Sequence, residues 1–184
     1  MDWQIKIFRP ALLAGVVNCA GSILLKSTHW ISDQEFADTI ALNLTTAFNL
    51  MRGATRLMMK QAGGGSIMLC FSVAARRGLV NHEAIAAAKA GVEGLVLAAA
   101  ASYARYGVRV NCVAPGLTRT ELTRSLTQNE TVARISAALH PLGRIGKPNE
   151  VASAICWLLD CEQSWVTGQV IGVDGGLGHV RVRN

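Results

Sequence analysis

The chain has 184 residues, of which 51% are hydrophobic and 16% charged. That length fits one domain, residues 1–184, burying roughly 70% of its unfolded surface, and the composition excludes a disordered chain while matching a parallel sheet covered by helices on both faces. The net charge of +6 is scattered, with no Lys/Arg run longer than two, so no nucleic-acid partner is expected.

Residues 3–8, WQIKIF, alternate as a short strand that Pro10 ends. Lys6 and Arg9 ahead of ALLAGVVNCA resemble a signal sequence superficially, but Asp2, Trp3 and Asn18 do not suit one, and a strand is expected there. Leu12–Val17 is a continuous apolar strand, with Asn18-Cys19-Ala20-Gly21 as the turn at its carboxyl end. In an open α/β sheet, ligands bind along that edge. Ser32 and Glu35 form a capping box, so a helix starts near Asp33. Phe36, Ile40, Leu44, Ala47 and Met51 share its apolar face until Gly63-Gly64-Gly65 stops it.

Ser66–Phe71 is the next strand and delivers Ser72 to its carboxyl end; a loop with Arg76 and Arg77 follows. Asn81 caps a helix running to about Tyr106. Ala86, Ala87, Ala88, Ala90, Gly91 and Gly94 allow it a close approach to another surface. Glu93 interrupts its apolar run before the roughly 18 uncharged residues of a membrane span, so no membrane is expected. Gly107 ends the helix and Val108–Ala114 is a third strand. Pro115-Gly116 opens a Thr-rich, irregular segment through His140, positioned as a lid. Pro148, at a first helical position, starts a helix with Val151, Ile155 and Leu158 on one face, ending near Asp160. Gln169–Val173 is the last strand, before Asp174-Gly175-Gly176. This alternation gives an α/β fold with a parallel sheet and right-handed crossovers.

The five cysteines form no CxxC pair, and Cys19, Cys70 and Cys112 lie in apolar runs, so buried thiols in a reducing, cytoplasmic setting are expected. No metal-ligand spacing occurs, and His29 and His140 read as ordinary surface or loop residues.

Four motifs, in order, carry a family resemblance. NCAG at Asn18 to Gly21 is similar to a turn after a fourth strand, ALNLTTAF places Asn43 on an active-site Asn, and RVNCVAPGLTRT supplies Asn111, Pro115, Gly116 and Thr120. GRIGKPNEVASAICWLL and TGQVIGVDGG complete the set. Together they resemble the short-chain dehydrogenase/reductase family, most of all its 3-oxoacyl-carrier-protein-reductase type. The resemblance implies a Rossmann-like parallel sheet with flanking helices, NAD(P) as cofactor, and a small carbonyl or alcohol substrate. By position it implies Asn43, Ser72 and Lys89 as catalytic residues and Asn18, Ala20, Gly21, Lys89, Pro115, Gly116 and Thr120 as cofactor contacts. It also implies a homo-oligomer, dimer or tetramer, packed through the helices over 33–62 and 82–106, or a longer partner of the same family.

Two departures stand against this pattern. The family's Tyr, four residues before Lys89, is Ile85, and an alkyl group has no proton to exchange. Tyr103 and Tyr106 lie roughly 21–26 Å further along the helix. The family's phosphate-binding TGxxxGxG turn does not occur, so the fold is expected to lack the first three strands and the adenosine pocket; Gly63 to Gly65 is a helix stop and no substitute. His82, three residues before Ile85, is the candidate substitute acid. Two functions remain open: a divergent NAD(P)H-dependent reductase, or a catalytically silent relative that serves in assembly.

Overall fold

Ile67, Met68 and Leu69 in β2 (Gly65–Cys70), and Val108, Val110, Cys112 and Val113 in β3 (Val108–Pro115), are all buried. Strands apolar on both faces must be covered on both, and this places them at the centre of the sheet. The structure, a computed structural model, describes residues 12–181. Within it, β1 (Gly15–Asn18), β2, β3 and β4 (Val170–Val173) form one parallel sheet in that order. Asn18 lies opposite Leu69, Leu69 opposite Cys112, and Cys112 opposite Val170.

Strand alternation sorts the core into two layers. Ile67, Leu69, Phe71, Val110 and Cys112 pack with Met51, Met58, Val92 and Val96 on one side, and Met68 and Val113 with Ile155 and Leu158 on the other. The first layer is covered by α2 (Thr46–Met58) and α4 (Glu83–Tyr103), with α1 (Asp33–Ile40) packed on α4, and the second by α7 (Pro148–Leu159). The outcome is a Rossmann-like parallel sheet with flanking helices. Glu83–Tyr106 is long and apolar enough to cross a membrane by length and composition; here its Ala88, Val92 and Val96 are buried and it packs on β3.

The capping box at Ser32 and Glu35 forms as expected, and Pro148 stands at the first position of α7. The helix from Asp33 differs from a continuous α-helix, because a π-helical turn at Ala41–Thr45 separates α1 from α2. Its apolar face is also shorter than expected: Ala47 and Met51 are buried, but Phe36 is exposed. Asn81 is not the cap of α4. It takes φ 62, accepts from Ser27 Oγ at 2.6 Å through its side chain and from Lys26 N–H through its carbonyl, and leaves the cap position to His82. The first strand begins at Gly15, and the expected strand over 3–8 lies outside the described residues. Arg76 and Arg77 sit in a short helix, α3 (Ala74–Arg77). The Thr-rich segment folds into α5 (Arg124–Thr127) and α6 (Glu130–Leu139), the latter capped by Asn129.

The expectation of buried thiols holds for Cys112 alone. Cys19, Cys156 and Cys161 are exposed and Cys70 is half-buried, because Cys19 falls one residue past β1, in the turn.

Candidate active site

The carboxyl ends of β1 and β2 carry the polar side chains singled out from the sequence. At the end of β1, Asn18 Oδ1 accepts from the N–H of Ala20 at 2.8 Å, closing a tight turn that sends Gly21 beneath α4. Gly21 has to lack a side chain: a Cβ there would lie 2.7 Å from Asn43 Oδ1 and 3.5 Å from Lys89 Nζ. The close approach therefore brings three separate elements together, the β1 turn, the π-helical turn and α4.

Asn43 is buried at the centre of that π-helical turn. Such insertions place a side chain outside the usual helical register and recur at functional sites. Its Nδ2 donates to Thr39 O and Ser22 Oγ, both at 3.0 Å, and its Oδ1 accepts from Ser22 N–H at 3.2 Å. Asn43 thus locks the β1 turn to the helix. Ser22 is a partner that sequence reasoning missed, although it directly follows the NCAG turn.

Lys89 is only 8% exposed, on the same buried face of α4 as Ile85. Its Nζ donates to the carbonyl of Cys70 at 3.0 Å, the one hydrogen bond made by this ammonium among the described residues. An ammonium has three donors, and a buried cation needs them answered. Ser72 lies two residues beyond Cys70. Its Oγ accepts from Ala74 N–H at 3.3 Å, leaving its own O–H to donate elsewhere. Ile85 is buried at 6% exposure and contributes only packing.

His82 is half-exposed at the start of α4, with Nδ1 2.8 Å from the carbonyl of Val80. A neutral imidazole in that arrangement donates from Nδ1, and Nε2 is the nitrogen left for other work. Arg76 pairs with Glu93 and lies 5.5 Å from the centroid of the Phe71 ring. The Glu93 carboxylate holds its guanidinium above the usual arginine value.

At the end of β3, Gly116 closes against His140: a Cβ on Gly116 would sit 2.6 Å from His140 Nε2. The expectation of an ordinary surface or loop residue fails for His140. It is buried, its Nε2 accepts from Leu117 N–H at 3.2 Å, and its Nδ1 lies 2.7 Å from Ser136 O, so the ring ties α6 to the Pro115-Gly116 turn. Thr120 and Thr123 hydrogen-bond to each other, and Thr123 also reaches Thr118 O. Thr120 is therefore already engaged in a local turn. His29 is exposed beside Trp30, as expected.

A cleft of about 460 Å³ lies next to this turn, lined among others by Gly116, His140, Arg144, Glu150 and Asp174. Asn43, Ser72 and Lys89 do not line it, so the converging polar groups and this cleft are not the same place. No cluster of three or more metal-ligating side chains occurs among the described residues.

The order of these elements, and the polar groups at the carboxyl ends of β1, β2 and β3, match a known family. A profile of the family described as enoyl-(acyl carrier protein) reductase matches residues 11–178. The chain belongs to the short-chain dehydrogenase/reductase family. It is 36% identical over 166 residues to the 3-oxoacyl-[acyl-carrier-protein] reductase of Chlamydia muridarum, covering 88% of this chain and 64% of that protein. It is 39% identical over 164 residues to the enzyme of the same name from Thermotoga maritima, covering 89% and 63%. The chain thus spans somewhat less than two thirds of these relatives' length. Among solved structures, a gluconate 5-dehydrogenase from Burkholderia cenocepacia in complex with NADP and tartrate superposes with a TM-score of 0.89 at 29% identity, covering 94% of this chain and 68% of that one.

Within this family fold, the residues present suit the ribose and nicotinamide end of a dinucleotide. The donor set is right for it: a buried ammonium with two N–H groups not taken by the described residues, beside a turn that a Cβ would fill. The sequence holds no TGxxxGxG turn for the pyrophosphate.

Proposed function

We propose that this chain is related in function to NAD(P)-dependent oxidoreductases of carbonyl and alcohol groups, that it carries the nicotinamide-proximal half of their site, and that its proton transfer is impaired by Ile85. The observation that carries this reading is Lys89, a buried ammonium with a single acceptor among the described residues, facing the Gly21 turn. Ribose hydroxyls are the acceptors that would complete it. A bound NAD(P)H supplies hydride to a carbonyl carbon. The chain's own work is to hold and orient: Ser72 donates its O–H to the substrate oxygen, Lys89 holds the ribose, and Asn43 keeps the β1 turn, with Asn18, Ala20 and Gly21, in position beneath them. Pro115, Gly116 and Thr120 border the same rim from β3. With Ile85 in place of a phenol, the proton needed by the developing alkoxide must come from water or from the imidazolium form of His82, whose Nε2–H is free among the described residues while Nδ1–H donates to Val80 O.

A second reading, a non-catalytic subunit in a homo-oligomer or beside a longer partner of the same family, is favoured by one observation. Leu42, Phe48 and Leu97, all on the helices covering one face of the sheet, are about half exposed.

Calorimetric titration with NADH and NADPH, alongside the mass in solution, separates the two. The first reading expects micromolar binding that weakens at least tenfold in Lys89→Met. Absence of binding up to millimolar cofactor overturns it, and an oligomeric mass then supports the second. If cofactor binds, Ile85→Tyr is expected to raise ketone reduction and His82→Asn to lower whatever the native chain shows.

A further inference from the structure

β1 and β2 run parallel in the register Val17↔Met68 and Asn18↔Leu69, so the next residues, Cys19 and Cys70, stand side by side where the sheet ends. Neighbouring strands lie about 4.8 Å apart, inside the roughly 4.4–6.8 Å between Cα atoms that a disulfide spans. Residues in register also point to the same face. Each thiol is the strongest influence on the other's titration, and Lys89, whose Nζ donates to the Cys70 carbonyl at 3.0 Å, sets a positive charge in the same cluster. Cys19 is open to solvent and Cys70 half-buried. Cys112, opposite Leu69 in the register, is buried in the layer under α2 and α4, on the other side of the sheet.

We propose that Cys19 and Cys70 form a redox-active dithiol, in which Cys19 reacts with hydroperoxides and Cys70 resolves the product to a disulfide. Nothing in this pairing belongs to carbonyl reduction; it requires only two thiols, a cation and access. The Cys19 thiolate attacks one oxygen of the peroxide, forming S–O as O–O breaks, and the departing oxygen leaves as water after taking a proton. The Cys70 sulfur then attacks the Cys19 sulfenic acid, forming S–S as S–O breaks. A second water leaves with the Cys70 proton. Each sulfur loses one electron and each peroxide oxygen gains one, so one hydrogen peroxide and two thiols give one disulfide and two waters. A small thiol returns the pair to its reduced form by exchange.

Electrostatics divides the roles in the same way. The hydrogen bond from Cys70, and behind it the Lys89 charge, bring Cys19 down to about 7, against the opposing effect of its burial. The same hydrogen bond, with burial, holds Cys70 well above the usual thiol range. At pH 7 such a shift gives about fiftyfold more thiolate, and the lower intrinsic nucleophilicity of an acidic thiol takes back roughly eightfold, leaving a net gain of about sixfold.

The test uses the full, reduced chain and one equivalent of hydrogen peroxide. The expected result is an intact mass lower by two hydrogen atoms, reversed by dithiothreitol, and a digest in which a Cys19 peptide is joined to a Cys70 peptide. In Cys70→Ser, dimedone is expected to trap a sulfenic acid on Cys19, and iodoacetamide at pH 7 to alkylate Cys19 about sixfold faster than Cys156 or Cys161 in the native chain. A digest without the Cys19–Cys70 link overturns the proposal, as does oxidation of Cys156 and Cys161 at the same rate as Cys19. The native-chain digest needs no substituted protein, so a variant that fails to fold does not shield the idea. No cofactor or turnover enters the assay, and its outcome is separate from that of the dinucleotide titration.

Discussion

The two ends of the sheet treat their polar side chains differently. At the end opposite the site, hydrogen-bonding capacity is used up. Arg109 donates to the carbonyls of Leu158, Leu159, Asp160 and Val166, closing the end of α7. Gln61 binds both the N–H and the carbonyl of Leu13. Asn111, fully buried midway along β3, donates to Val166 O and accepts from Gln169 N–H. At the carboxyl rim, among the described residues, Lys89 uses one donor of three and Ser72 keeps its O–H. Saturated groups stabilise a fold, and groups with capacity left over mark the place built to meet something else.

The sharpest way to break this contrast is to empty a saturated position. Asn111→Ala removes both hydrogen bonds of a fully buried side chain and leaves a cavity in its place, so it is expected to cost about 2–4 kcal/mol, read as a lowered midpoint in urea unfolding. A cost below about 1 kcal/mol would mean that the base end is not held by these bonds. The next effect belongs to the rim's one crowded point. Gly21→Ala places a methyl 2.7 Å from Asn43 Oδ1, and overpacking of that kind costs about 1–3 kcal/mol. Here the loss is expected to come with weakened dinucleotide binding, since the same turn faces Lys89.

Lys89→Met sharpens the comparison from the other side. An incompletely answered buried cation exchanged for an apolar chain of similar length is often neutral or stabilising, so unfolding is expected to shift by less than about 1 kcal/mol in either direction. A large destabilisation would assign Lys89 to the structure and not to a ligand.

What could be read from the residues follows the same division. The four strands, the flanking helices and the Ser32 and Pro148 starts were legible because they rest on local patterns: continuous apolar runs, a capping box, a proline with no N–H to lose. The candidate site was legible only as positions: spacing within a family pattern singles out Asn43, Ser72 and Lys89 and says nothing of their contacts. The π-helical turn at Asn43, the left-handed Asn81 and the buried His140 were not legible. Each is decided by a partner distant in sequence, Ser22 for Asn43, Ser27 and Lys26 for Asn81, and Leu117 for His140. The thiols at Cys19 and Cys70 were misjudged for the same reason. Their apolar surroundings suggested burial, but only strand register sets them side by side at an open edge.

The smallest expected effect concerns acid. Glu35, held by Lys26 and by the Ser32 cap, has its carboxyl lowered from 4.5 to about 2. A carboxylate depressed in the folded state contributes stability that is fully present above its unfolded value, and loses it as pH falls through the folded one. For Glu35 the contribution is therefore whole above about pH 4.5 and fades towards pH 2. The pair is exposed and salt-screened, so the effect is small. It is also local, because Lys26 anchors the loop after β1 by donating its N–H to Asn81 O, whereas the bonds of Gln61, Asn111 and Arg109 have no group that titrates in that window. Mild acid should then loosen the rim before the base. Melting temperatures of the native chain and Glu35→Gln are expected to differ by a constant amount above pH 5 and to converge below it. A gap that persists to pH 2 would show that the cap geometry, and not the charge, holds this side of the site.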